Sequence, residues 1–256
     1  MGHKSSLIYS DPHYLRLHEF IDAENASSEA RAVFKLCHGQ AGEKWLDVCC
    51  GFGRHVEELA RLGCSVVGLD QSTLMLARAA TRAHERKQRL SYVLGDICHI
   101  PFTDQFDTVS LLFDSFGFFP DDLQHFDALL SIGFSLKPHG TFLIHLNNRE
   151  RLLGQWKDRV EEHHGDYVIS RDYWRDLPRG RYGWRESVFS PAGSHEWNFD
   201  LRMFTAPEIS ELLVRAGFDQ IEFYGSLEGA TYDVDSACML VKARKMVFSD
   251  IPSIPD

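Results

Sequence analysis

Apolar and polar positions along this chain follow two periods in alternation. Short apolar runs begin at Trp45, Ser65, Leu90, Thr108 and Thr141, and the stretches between them carry apolar residues at three- and four-residue spacing. Runs of this length read as strands buried on both faces, and the intervening period reads as amphipathic helices. Their alternation predicts an α/β domain with a largely parallel sheet. Helix starts are marked by Ser28, before a helix running to Cys37, by Ser72, and by Asp121, before a helix running to Leu136. Thr205 opens a further helix, with Pro207 in its first turn, Glu208 three residues past the cap and Gly217 at its end. The segments IEFYGSLEG and SACMLVKARK then close the sheet as an antiparallel pair. Residues 7–20 mix aromatic and polar groups in a partly helical segment where Tyr9, Tyr14 and His18 stand out. Between Leu152 and Phe204 large apolar and charged residues alternate, broken by PRG and PAGS turn signals, which predicts two or three inserted antiparallel strands.

The first strand leads into WLDVCCGFGRH, with an acid at Asp47 and glycines at Gly51 and Gly53, and the next strand ends at Asp70. Glycines let the backbone turn sharply and approach a ligand, and the following helix points its positive end at that place. An acid closing the second strand is placed to accept hydrogen bonds from ribose hydroxyls. A dinucleotide turn needs a third glycine where the chain has Val56, and a P-loop needs Gly-Lys-Ser/Thr where it has Gly53, Arg54 and His55. The site therefore suits an adenosine-like ligand without a bound polyphosphate.

That acid, glycine turn and second acid resemble motif I of the class I S-adenosylmethionine-dependent methyltransferases, small-molecule type, in which a further glycine usually stands where this chain has Cys49. The resemblance implies a doubly wound, Rossmann-like seven-stranded sheet with an antiparallel last strand and an inserted antiparallel β lid. It divides the chain into an N-terminal helical cap (1–40), a cofactor-binding core (41–150), the insert as acceptor lid or dimer contact (151–204), a closing helix and strands (205–245) and a tail (246–256). S-adenosylmethionine is the implied cofactor. On the resemblance its site takes in Asp47, Cys49, Gly51, Gly53, Asp70, Gln71, Met75, Asp96, Ile97, Phe113 and Ser115, with Tyr14 reaching the methionine end from the N-terminal helix. The FDSFGFF string after the fourth strand resembles a segment of small-molecule methyltransferases and differs from the Asn/Asp-Pro-Pro-aromatic motif of amino-group methyltransferases acting on bases.

Composition narrows the partners. Hydrophobic residues make up 44% and charged residues 25%, ordinary for a globular enzyme, and the net charge of -10 argues against a nucleic-acid surface. The six cysteines form no C-x-x-C pair, which fits a reducing, cytoplasmic setting without a zinc site. No apolar run is long enough to cross a membrane, although Gly2 and Ser6 match the bare myristoylation pattern.

Methyl transfer to an O, N or C atom of a small, planar or aromatic metabolite is expected. The acceptor pocket is expected around Phe116, Phe119, Trp174, Trp184 and Arg185, with His145 as general base ahead of His195 and Tyr232. Asp114 with Asn147 and Asn148 offers an oxygen set for a metal-assisted O-methyl transfer, or else a set of strand-end caps. A non-catalytic cofactor sensor or scaffold, and a protein or RNA methyltransferase, are the competing readings.

Overall fold

The computed structural model describes residues 8–22 and 25–247; the Gly2 to Ser6 pattern and the tail from 248 onward lie outside the described residues. Helices α1 (Pro12–Asp22) and α2 (Ala26–Leu36) precede β1 (Lys44–Val48), α3 (Arg54–Arg61), β2 (Ser65–Asp70), α4 (Thr73–Glu85) and β3 (Ser91–Leu94). Then follow β4 (Phe106–Leu111), α5 (Asp122–Ser135), β5 (Leu136–Leu146) and α6 (Arg149–Gly154). The insert contributes β6 (Arg159–His164), β7 (Tyr167–Asp176), β8 (Arg181–Ser190) and β9 (Gly193–Arg202), before α7 (Ala206–Arg215), β10 (Phe218–Tyr224) and β11 (Met239–Lys245) complete the core.

The main sheet has the order β10-β11-β5-β4-β1-β2-β3. Only β11 runs against its neighbours, pairing antiparallel with β5 and β10, so the sheet is the doubly wound seven-stranded form expected. Strand β1 shows why it is covered twice. Trp45 packs on one face with Ala30 and Val33 of α2 and Val56 and Leu59 of α3, while Leu46 and Val48 pack on the other with α5 and α7. The Trp45 indole N–H donates to Ser110 Oγ at 2.9 Å, and Ser110 donates on to Asp47 Oδ1 at 2.8 Å. The largest side chain in the strand is thus buried without an unmet donor.

Local signals succeed where their chemistry is self-contained. Ser72 accepts from Met75 N–H, Asp121 caps α5, and Thr205 with Glu208 forms a full capping box. Helix α2 differs, starting at Ala26 after Asn25, with Ser28 Oγ donating back to the Asn25 carbonyl instead of capping. Strand β4 stops at Leu111, two residues short of Phe113, because Phe113 and Asp114 both adopt left-handed backbone (φ 53° and 56°). Lys137 to Gly140, a KPHG stretch of turn-forming composition, lies inside β5, where a register shift against β4 absorbs the left-handed His139.

The insert forms four strands rather than two or three, in the antiparallel order β6-β7-β8-β9. Strand β6, RVEEHH, is too polar for hydrophobic patterning to announce it, since it is an edge strand with only alternate residues half-buried. The inner face of the insert, including Tyr182, Val188, Trp197, Phe199 and Leu201, packs with Tyr14, Leu15 and Leu17 of α1 and with Phe52, Met75 and Phe118 of the core. A polar clasp fixes this contact. Trp197 Nε1 donates to Asp11 Oδ2 at 2.9 Å, and His13 stacks on His195 at 3.7 Å.

Candidate functional site

A cavity of about 330 Å³ opens at the C-terminal edge of the parallel strands, where doubly wound sheets place ligands. Asp70 organises it. Its Oδ2 accepts the Gly51 N–H and its Oδ1 the Ser72 N–H, both at 2.8 Å, so one carboxylate ties the glycine turn to the start of α4. Burial pushes its pKa up, opposed by the backbone N–H groups of Ser72, Gly51 and Gln71. Gln71 and the buried Met75 lie beside it on the cavity wall, and Ser72 Oγ donates to the Tyr9 carbonyl at 2.6 Å. After β3, Gly95, Asp96 and Ile97 line the opposite side. Asp96 accepts the Cys98 N–H at 2.9 Å with one oxygen, and its side chain is 59% exposed.

The turn uses three left-handed residues, Cys49 (φ 57°), Gly51 (55°) and Gly53 (78°). A Cβ built on Gly51 meets no atom within 4 Å, so this glycine leaves open space where it borders the cavity. Gly53 acts differently. It does not border the cavity, and a Cβ there would sit 2.6 Å from Tyr92 Oη and 3.1 Å from Ala79 Cβ. The close packing reserved for a third glycine is made at Gly53 instead. Cys49 holds a backbone shape that costs a side chain about 1–2 kcal/mol, which a glycine would not incur. Cys49→Gly is therefore expected to raise unfolding stability by about 0.5–1 kcal/mol after the entropic cost of glycine, read from urea denaturation; a loss of stability would show that the thiol's packing outweighs the strain.

Asp47 lies beneath the turn, 2% exposed, and borders a smaller cavity of about 100 Å³ with Cys49, Gly51, Arg54 and Phe113. Burial raises its pKa, while His55, the Ser110 hydroxyl and Arg54 oppose the rise. The outer wall of the main cavity is aromatic. Tyr9, Tyr14, Phe52, Phe118 and Phe119 line it with His18, beside Phe113 and Ser115 from the segment after β4. Ser115 Oγ donates to the Leu112 carbonyl at 2.9 Å, holding that segment in its turn. Sequence patterning gives Tyr9, His18 and Phe52 no role in a site, and it marks Arg54 and Gly95 only as motif letters. Their signal lies in adjacency: Phe52 sits between the two glycines, and Tyr9 and His18 flank Tyr14.

The three residues expected to act as bases do not line this cavity. His145 lies behind Phe113, whose ring is sandwiched between His55 at 5.1 Å and His145 at 5.0 Å. His145 Nδ1 is 3.7 Å from Asp114 Oδ1, beyond hydrogen-bond reach but within ion-pair distance. Burial works against its charge, yet the Asp114 carboxylate and the Cys238 thiol outweigh it and push the imidazole up to about 10. Raised in this direction, the imidazole favours its protonated form, in which it has no lone pair to take a proton. His195 belongs to the α1 clasp, and Tyr232 Oη lies 3.1 Å from Asn148 Oδ1 and 3.0 Å from Glu150 Oε2 at the start of α6.

The acceptor set is also scattered. Phe119 lines the cavity, but Phe116 is 2% exposed in the main core against Phe204. Trp174 and Arg185 face outward on the insert, with Arg185 paired to Asp172 at 3.2 Å, because strand alternation puts their neighbours Tyr173 and Trp184 on the inner face. Trp184 stacks on Phe199 at 4.5 Å. Asn147 donates to Tyr182 Oη at 2.7 Å. The Asn148 amide holds the carbonyls of Asp233, Val234 and Ser236 while its oxygen caps α6, so Asn148, of the expected oxygen set, is committed to structure.

Known proteins agree with this geometry. A family described as a methyltransferase domain matches residues 46–140, the stretch that carries the glycine turn, Asp70, Asp96 and the β4 end. Those residues carry a methyltransferase domain, and the chain as a whole has the fold of S-adenosylmethionine-dependent methyltransferases. This methyltransferase shares the fold of the CcbJ methyltransferase of Streptomyces caelestis, with a TM-score of 0.80 and 19% identity over 94% of this chain and 98% of that one. It likewise resembles an S-adenosylmethionine-dependent methyltransferase of Clostridium acetobutylicum, with a TM-score of 0.79 and 14% identity over 91% and 97% of the two chains. By sequence it is 35% identical over 108 residues to the demethylmenaquinone methyltransferase of Lactobacillus johnsonii, 40% of this chain and 44% of that protein. It is 29% identical over 216 residues to the glycine/sarcosine N-methyltransferase of Parasynechococcus marenigrum, 80% of this chain and 73% of that protein. The methyltransferase thus spans less than half the length of the first of these relatives.

S-adenosylmethionine is the family's cofactor, and the residues present fit it: a carboxylate at the end of β2, an exposed acid and an apolar residue after β3, a buried thioether, and open space at Gly51.

Proposed function

We propose that this protein transfers the methyl group of S-adenosylmethionine to a basic nitrogen of a small molecule, by positioning rather than by proton abstraction. Bound S-adenosylmethionine supplies an electrophilic methyl on a sulfonium, which a nucleophile displaces in line. In this reading Asp70 takes the ribose hydroxyls, Asp96 and Ile97 flank the base, Met75 packs beside them, and the turn at Cys49 and Gly51 with Tyr14, Phe113 and Ser115 surrounds the methionine end. Phe118, Phe119 and Tyr9 keep water from the transfer point.

The observation that carries the choice of nitrogen is the charge around Tyr9. Burial, the Cys49 thiol and the carboxylates of Asp70, Asp114 and Glu186 all push the Tyr9 phenol upward, so Tyr9 stays neutral in an acidic surrounding. Asp114 Oδ1 and Glu186 Oε1 are buried without a hydrogen-bond partner among the described residues, although each carboxylate faces a cation, Asp114 at 3.7 Å from His145 and Glu186 at 2.6 Å from Arg171. An amine that is neutral when it reacts carries its own lone pair and needs no base from the protein. The 29% identity to a glycine/sarcosine N-methyltransferase is in keeping with this.

The test is incubation of the protein with methyl-labelled S-adenosylmethionine and matched panels of small amines, phenols and alcohols. Label entering the amine panel alone supports the proposal. Entry into phenols alone refutes the nitrogen assignment, and tight S-adenosylhomocysteine binding with no transfer to any panel or to a cell extract points to a sensor.

A further inference from the structure

A second cavity of about 310 Å³ lies behind the end of β5, and it shares no lining residue with the first. Asn147, just past β5, borders it, Arg151, Gln155, Trp156 and Lys157 line it from α6 and the residues that follow, and Tyr173 reaches it from the inner face of the insert. Trp156 and Tyr173 meet at 74° with ring centroids 6.1 Å apart, an aromatic corner backed by Arg175 over the Trp156 ring at 4.6 Å.

The charges set this cavity apart. The chain carries 37 acidic against 27 basic residues, yet no acid lines the cavity while two cations do. Arg151 reaches only the neutral Gln155 Oε1, with its Nε at 3.4 Å, and Lys157 has no hydrogen-bond or ion-pair partner among the described residues. Neighbouring carboxylates already have partners: Asp158 accepts the Trp156 indole N–H at 2.9 Å, and Glu150 lies 3.0 Å from Tyr232 Oη. Two cations on a cavity that no acid lines, Arg151 half-buried and Lys157 exposed at its rim, form a place for an anion. The aromatic corner adds a face for a ring, and the volume is that of a small-molecule site.

We propose that this cavity binds the carboxylate of a planar, ring-bearing small anion, with Arg151 and Lys157 holding the charge and Trp156 and Tyr173 packing the ring. The anion is either the acid end of the methyl acceptor or a separate effector. Binding stands independently of the methyl-transfer reading; only the choice between these sources rests on it.

The probe is 2-naphthoate, with 2-naphthamide as its neutral counterpart, titrated into the full chain by calorimetry and tryptophan fluorescence. Naphthoate is expected to bind at least about tenfold more tightly than naphthamide. Arg151→Gln and Lys157→Gln should each remove about fivefold or more of that preference, and the double variant should abolish it. S-adenosylhomocysteine affinity and melting temperature, measured on the same variants, should stay at wild-type values and so exclude misfolding. Equal binding of the two probes, or a preference that survives the double variant, overturns the proposal. With a labelled acceptor in hand, competitive inhibition by naphthoate assigns the cavity to the acceptor's acid end, and noncompetitive inhibition assigns it to an effector.

Discussion

Asp70→Asn is expected to weaken S-adenosylhomocysteine binding by about 100-fold or more, because each charge-assisted hydrogen bond contributes about 1.5–3 kcal/mol and the proposed ribose contact uses two. Asp70→Ala should do more than that. It leaves the Gly51 and Ser72 N–H groups, now satisfied at 2.8 Å each, without acceptors in a buried place, at about 1–3 kcal/mol apiece. The alanine variant is therefore expected to melt well below the asparagine variant with no ligand present. Calorimetric titration gives the first quantity and thermal unfolding the second. Asparagine keeping affinity within about threefold of wild type would remove Asp70 from the proposed donor site, since even one lost charged contact exceeds that difference.

The pair formed by Asp114 and His145 gives the other large effect. His145 holds its proton more tightly in the folded chain, at about 10 against 6.5 in the open chain, so its stabilising contribution is complete below pH 6.5 and drains away as the pH climbs to 10. At about 1.4 kcal/mol for each tenfold gain in proton affinity, the whole contribution is about 3–5 kcal/mol, the range found for breaking buried ion pairs. Urea unfolding followed from pH 6.5 to 10 should show wild-type stability falling by that amount, with the slope flattened in His145→Gln and shifted to lower pH in Asp114→Asn. A wild-type slope indistinguishable from that of both variants would mean that the ring is neutral in the folded state. Protonated His145 and neutral Tyr9 together also explain why the proposed chemistry relies on the acceptor's own lone pair.

What the chain discloses by reading and what it withholds divide along physical lines. The glycine turn, Asp70, Met75 and Asp96 are legible because strand ends and helix starts are local, and their spacing alone brings them to one edge of the sheet. His145 is legible as a strand-end residue, yet its surroundings are not: Asp114 lies 31 positions earlier in sequence and Cys238 far beyond it, and these neighbours turn a candidate base into a cation. Trp174 and Arg185 read as pocket residues because composition marks an aromatic insert without saying which alternate positions face inward. Register decides that, and register depends on pairing between β7 and β8 that no short pattern encodes. The second cavity is invisible in the sequence for the same reason, being closed only when Tyr173 folds over α6.

The clasp between α1 and the insert bears on how the protein is made. Tyr9 and Tyr14 wall the first cavity, but Tyr14 rests on Trp197 and Phe199, and Asp11 takes the Trp197 indole N–H across 186 positions of sequence. On a ribosome α1 emerges well before the surface it docks against, because Trp197 is translated 186 residues after Asp11. A nascent chain that has folded its first strands and glycine turn therefore still lacks a roof, and the cavity acquires it late in synthesis, when β9 has paired with β8.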